Sequence, residues 1–176
     1  MKPTEPLPVK LFCGILFADE NVLNKTLNIL TQKFGKIDFQ SKFFPFSITD
    51  YYNSEMGNDI RRMFCSFEEL INPSLLAEIK LECNETEEKF TFDGKRKINL
   101  DPGYLDYNKV VLASAKYNAQ KIYLKSGIYA DITLFYEKGK FVPADWAFPD
   151  FKLGIYENAF LQIRSKYKLQ LKNINR

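Results

Sequence analysis

The chain has 176 residues, 45% of them hydrophobic and 27% charged, with a formal net charge of +3. That length and balance fit one soluble globular domain over 1–176, whereas two domains would each be left with a poor core. The sequence contains no histidine, which excludes His-dependent triads and imidazole bases and removes the commonest transition-metal ligand. Acid–base chemistry is left to Asp, Glu, Lys, Tyr or Cys.

The opening "MKPTEPLPVK" lacks the apolar core of a signal peptide, and no run approaches the length of a membrane span. Cys13, Cys65 and Cys83 form no C-x-x-C pair, so no structural zinc, haem or iron–sulfur cluster is indicated. The expected setting is the cytoplasm, with no membrane partner. The apolar run "VKLFCGILFA" reads as a buried strand. Asp19 then caps a helix carrying Val22, Leu23, Thr26, Leu27 and Leu30, which Gly35 ends. "KIDFQSKFFPF" is expected as a second strand and "RRMFCSF" as a third, after the loop "SITDYYNSEMGND". A helix is expected from Glu68 to about Cys83, with its apolar positions at Leu70, Ile71, Leu75, Leu76 and Ile79 and Pro73 marking a break or the start of its main part. "EEKFTF" and "KRKINL" follow as short strands around Asp93-Gly94.

The order strand–helix–strand–strand–helix–strand predicts a ferredoxin-like βαββαβ core. "KVVLASA", "QKIYLK", "IYADITLFYE" and "KFVPA" add antiparallel strands, turning at Ser126-Gly127 and Lys138-Gly139. Tyr156, Phe160, Ile163 and Tyr167 recur at helical spacing, giving a C-terminal helix packed on the sheet. The expected class is therefore α+β.

One stretch, "KINLDPGYLDYNKVVLASAK" (97–116), carries more polarity than a hairpin needs. Asp101, Pro102 and Gly103 suit successive positions of a type II turn. Alternation puts Asn99 and Asp101 on one face, opposite Ile98 and Leu100, and leads to Tyr104. Ser114 and Lys116 share a face at the end of the next strand. Tyr129, Asp131 and Thr133 share another, opposite Ile128, Ala130, Ile132 and Leu134. If these strands are neighbours, their polar groups form either a wetted outer face or a concave site. The loop Thr49–Gly57, with Asp50, Tyr51, Tyr52 and Glu55, is either a pinned connection or a lid bringing Glu55 and a phenol over that site. Trp146 and Phe148 in "ADWAFPDF" read as an anchor for the last helix or as a ligand platform.

These stretches, from "VKLFCGILF" through "TDYYNSEMG", "INLDPGYL", "VLASAK" and "GIYADITLF" to "WAFPDF" and Ile163-Arg164, resemble a bacterial family catalogued as domain of unknown function 4416. "NLDPGY" is its characteristic string. The family pattern tends to have a Thr near Ser114 or Ala115, and a His-Arg pair where this chain has Gln120-Lys121. The resemblance implies no established activity. Some members have been labelled GTP-binding, but neither Gly35-Lys36 nor Gly94-Lys95 belongs to a phosphate-binding loop G-x-x-x-x-G-K-[ST].

Two functional classes follow. In the first, the protein binds or turns over a small phosphate- or carboxylate-bearing molecule. Lys116 neutralises the anion, Asp101 or Asp131 acts as base or, with Asn99, ligates Mg²⁺, and Glu55 supplies a second acid or base. Tyr104, Ser114, Tyr129, Thr133 and Trp146 would complete the ligand contacts. In the second, it is a non-catalytic module for RNA or a protein, the latter shown by an exposed aromatic patch and a stable dimer. The modest charge and the missing RNA-recognition string weigh against nucleic acid. A third possibility is a purely structural polar face.

Overall fold

The computed structural model describes residues 2–174 except 50, 51 and 58. Its centre is β1 (Val9–Phe17), nine residues that are all buried. Only one of them carries a charge: Lys10 is fully buried, and its ammonium donates to Asp38 and the Phe67 carbonyl (both 2.5 Å) and to Gln170 Oε1 (2.8 Å). Those partners are what make a buried cation tolerable.

β1 pairs on one side with β4 (Arg61–Ile71) and on the other with β7 (Ile98–Leu105). β2 (Ile37–Gln40) and the two-residue β3 (Phe44–Pro45) pair with β4. β8 (Lys109–Ser114), β10 (Ile128–Glu137) and β11 (Lys140–Pro143) extend the sheet beyond β7, and β9 (Ile122–Lys125) pairs with β10. The main path runs β11-β10-β8-β7-β1-β4-β2, antiparallel throughout. A separate hairpin joins β5 (Thr91–Phe92) to β6 (Lys95–Arg96).

α1 (Glu20–Phe34) and α3 (Leu76–Glu88) cover one face, packing Leu23, Leu30, Ile79 and Cys83 on Leu11, Cys13 and Ile15. α5 (Glu157–Ile174) covers the other, placing Phe160, Ile163 and Tyr167 against Phe12 and Phe64. Asp19 caps α1 through the Asn21 amide, and Gly35 ends it at φ 88°. The short helices α2 (Asn53–Met56) and α4 (Pro149–Lys152) lie in connections. The α+β class, with a large antiparallel sheet and a C-terminal helix, is as expected, and the β1-α1-β2-β4-α3-β7 path is compatible with a ferredoxin-like core. Among the described residues no helix is long and apolar enough to cross a membrane.

Several local expectations are corrected. The third strand does not end at Phe67 but runs to Ile71, so Glu68–Ile71 is strand; a 3₁₀ turn (Pro73–Leu75) then leads into α3. Pairing with β1 up to Val9↔Ile71 outweighs the helical spacing of Leu70 and Ile71. "KIDFQSKFFPF" splits into β2 and β3. In β10 a register shift between Ile132 and Leu134 makes Thr133 the extra residue. Leu134 therefore turns to the α5 side with Asp131, rather than opposing it.

The largest correction concerns Asp101-Pro102-Gly103, which forms no turn. β7 runs straight through it, paired with β1 from Ile98 to Leu105. The chain reverses at Asp106–Asn108 instead, where the Asp106 carboxylate accepts from the amides of Asn108 (2.8 Å) and Lys109 (2.9 Å). Pro102 and Gly103 have other uses. Pairing of β7 with β8 covers only Gly103 to Leu105. Leu100, two residues before Pro102, directs its backbone toward the β8 side and finds side chains there, not a strand. Its N–H donates to Glu87 Oε1 (2.6 Å) and its carbonyl accepts from Lys80 Nζ (2.6 Å). Pro102 presents its ring nitrogen to that same side, where no N–H is available to continue the ladder. The two strands part at this point. Gly103, just inside the ladder, is needed for closeness: a Cβ there would lie 2.5 Å from the Val111 carbonyl oxygen and 2.7 Å from the Phe12 ring.

Gly103→Ala should therefore destabilise the protein by about 1–3 kcal/mol through overpacking, read as a lower urea midpoint.

Candidate functional site

Where β7 and β8 part, a cavity of about 860 Å³ opens, within the range of small-molecule sites. Asn99 and Asp101 of β7, Ser114 of β8 and Asp131 of β10 line it. α3 closes one side with Lys80 and Glu87, and β4 and α4 close another with Arg62 and Asp150.

Arg62 organises one end. A guanidinium in an apolar strand must be matched, and Arg62, 6% exposed, pairs with the equally buried Asp150 and with Asp101 at 3.3 Å. The Tyr156 hydroxyl also donates to Asp150 (3.1 Å), and the guanidinium lies 4.8 Å from the Phe46 ring centroid. A second cation, Arg96, holds Glu55 (2.9 Å) and Glu87 (3.1 Å), and donates to Asn99 Oδ1 (3.2 Å). Burial raises the Glu87 pKa above the ordinary carboxylate value despite Lys80 and the Leu100 amide.

Asp131 organises the other end. It is 4% exposed, with Lys121 Nζ at 3.4 Å from Oδ2. Lys121 also donates to Ser114 Oγ (2.8 Å). Burial raises the Asp131 pKa against the pull of Lys121.

Four buried side-chain nitrogen or oxygen atoms among the described residues have no hydrogen-bond partner. Arg62 Nε, Asn99 Nδ2 and Asp131 Oδ1 belong to residues lining this cavity, and the fourth is Glu78 Oε2. Buried polar atoms are nearly always paired, so three such atoms around one hollow amount to two donors and one acceptor without a partner.

The structure thus brings Asn99, Asp101, Ser114, Lys116 and Asp131 to one cavity. Glu55 does not line it, but holds Arg96, which does. Tyr104 packs on the α3 side with Val111 and Ala113. Tyr129 meets Tyr117 and Tyr123 edge to face, Thr133 Oγ1 donates to the Asp131 carbonyl, and the Trp146 indole donates to the Ile132 carbonyl (2.8 Å). None of these four residues lines the cavity. From the loop, Thr49 and Tyr52 reach it, while Asp50 and Tyr51 lie outside the described residues. No group of three or more His, Cys, Asp or Glu among the described residues is placed to hold a metal.

A family model described as Domain of unknown function (DUF4416) matches residues 7–167. The chain belongs to this family. No curated protein and no solved structure matches it.

In this DUF4416 chain, sequence reasoning missed Arg62, Arg96, Lys121, Glu87 and Asp150 as site residues. Arg62 carried a signal, since a charge inside "RRMFCSF" on the face of Phe64 and Ser66 needs a buried counterion. Arg96 and Glu87 carried none, because their meeting depends on α3 lying against the open flank of β7.

Asp150→Asn should leave Arg62 under-compensated and cost roughly 3 kcal/mol, measurable by chemical denaturation. Asp131→Asn likewise deprives a buried cation, Lys121, of its carboxylate, but its effect should depend on pH. A raised folded-state pKa makes ionised Asp131 a burden that is absent below the unfolded-state pKa and costs stability as pH rises through the folded one. The melting temperature of the variant relative to wild type should therefore rise between about pH 4 and pH 7 and stay constant below about pH 4, as followed by thermal melts across pH.

Proposed function

We propose that the protein binds a small polar molecule bearing a phosphate or carboxylate group in the cavity between β7 and β8. The observation that carries this reading is that three buried polar atoms without a partner, Arg62 Nε, Asn99 Nδ2 and Asp131 Oδ1, belong to residues lining one hollow of ligand size. Leaving such atoms unpaired costs about 1–3 kcal/mol each, a burden that a ligand supplying two acceptors and one donor would lift. Functional sites are where stability is traded this way. Lys116 and Lys121 face the ligand's anion. Asp131, with its pKa raised by burial, is the group suited to exchange a proton with a bound hydroxyl or amine. Asp101 and Glu55 are engaged by Arg62 and Arg96 and act as supports.

The RNA-binding alternative draws little support, since the sheet face that such modules leave open for bases is covered here by α5.

A thermal-shift screen of nucleotides, sugar phosphates, carboxylates and divalent metals tests the reading. At least one compound should raise the melting temperature at sub-millimolar concentration, and Asp131→Asn should abolish that shift. Lys116→Met, at an exposed position, should weaken the same ligand about ten-fold. A ligand indifferent to both changes would place binding elsewhere.

A further inference from the structure

The aromatic residues lining the cavity are not used alike. Phe46 and Phe151 are buried against the Arg62 guanidinium, which lies 4.8 and 5.7 Å from their ring centroids, and Tyr52 packs on Phe46. Tyr117 and Phe148 line the same cavity but stay 73% and 50% exposed. Both are nonetheless fixed in place. The Phe148 carbonyl accepts from the amides of Phe151 (3.0 Å) and Lys152 (3.2 Å) at the start of α4, and the Tyr117 ring meets Tyr129 at 5.8 Å. Each therefore keeps apolar surface open at the mouth of a hollow, where an occupant would cover it.

Both rings belong to the Asp131 end. Lys121 Nζ lies 5.9 Å from the Phe148 ring centroid and donates to the carbonyl of Lys116, the residue before Tyr117 (3.3 Å). The same ammonium pairs with Asp131 Oδ2 (3.4 Å). Lys121 and Asp131 match each other in charge, so this pair offers a ligand no net field. It does offer a hydrogen-bonding group, because Asp131 is 4% exposed and its Oδ1 has no partner.

Open aromatic faces and a buried acceptor thus meet at one mouth. An alkyl chain would cover the faces but leave the acceptor dry and unpaired. A sugar would serve the acceptor but present a puckered, partly polar surface to the rings. A flat heteroaromatic ring does both, since its faces are apolar and its edge can carry an N–H.

We infer that the ligand carries a flat heteroaromatic ring with an N–H or amino group on its edge, which lies against Phe148 and Tyr117 and donates to Asp131 Oδ1. This inference rests on the binding reading above and deepens it to a ligand class, heteroaromatic compounds bearing a phosphate or carboxylate.

Calorimetric titration of the full chain with nucleoside 5′-monophosphates and with aminopyridine- and aminopyrimidinecarboxylates tests this, the two sets separating phosphate from carboxylate. One group of controls lacks the flat ring, ribose 5-phosphate for the first set and cyclohexanecarboxylate for the second. The other keeps the ring but has C–H in place of the edge donor. At least one heteroaromatic compound should bind about ten-fold or more tightly than both of its controls. Phe148→Ala, at a half-exposed position, should reduce the preference over the ring-free control to about three-fold or less, and Phe148→Tyr should retain it. Equal binding of the ring-free control would overturn the ring, and equal binding of the donor-free control would overturn its bond to Asp131. A ring preference untouched by both Phe148→Ala and Tyr117→Ala would overturn the ring's placement. Silence across the whole panel would overturn the inference. The binding reading would survive that silence if the broader screen yields any ligand sensitive to Asp131→Asn, and would fall with it otherwise.

Discussion

A β-strand that loses its neighbour must find new partners for its backbone, and the architecture turns on how β7 does so. The amide and carbonyl of Leu100 are taken by Glu87 and Lys80 of α3, two side chains acting where β8 would otherwise lie. Without them the open flank would carry unsatisfied polar groups that a buried strand cannot leave bare. With them, β7 and β8 separate beyond Pro102 while the sheet stays continuous from β8 to β10. The hollow is thus a consequence of how the ladder ends.

The same substitution of side chains for strand explains why the site is rich in charge. Lys80 and Glu87 bring an ammonium and a carboxylate to the gap, Glu87 draws in Arg96, and Arg96 orients Asn99 and ties down α2 through Glu55. On the opposite wall Arg62, Asp150 and Tyr156 join β4 to the segment before α5. Each network is internally paired, apart from Arg62 Nε and Asn99 Nδ2. Such a site is held rigidly by its second layer of contacts, as binding without large reorganisation requires.

Much of the fold could be read from the sequence because its signals were local. Asp19 and Gly35 bounded a helix, Ser126-Gly127 and Lys138-Gly139 gave hairpin turns with positive φ at all four residues, and the periodicity of Phe160, Ile163 and Tyr167 marked the last helix. The polar faces of Asn99–Asp101 and Asp131 followed from period two. The failures arose where a local signal had a longer-range meaning. Asp-Pro-Gly has the chemistry of a turn, yet Pro102 ends a ladder and Gly103 admits Phe12 and Val111, contacts that no window of neighbouring residues contains. Leu70 and Ile71 matched a helical repeat, but cross-strand pairing with β1 decided their conformation. Thr133 broke an alternation that only its partner β8 could reveal.

The buried Lys10 has a kinetic consequence. Its ammonium bonds residue 170, 160 positions away, and the Tyr167 hydroxyl donates to the Pro8 carbonyl across 159. β1 therefore cannot complete its surroundings until α5, far downstream of it, has been synthesised. Loop closure on that scale is entropically costly and slow. The emerging chain must carry the apolar β1 unfinished until α5 follows, and an unfinished apolar strand is open to aggregation for that interval.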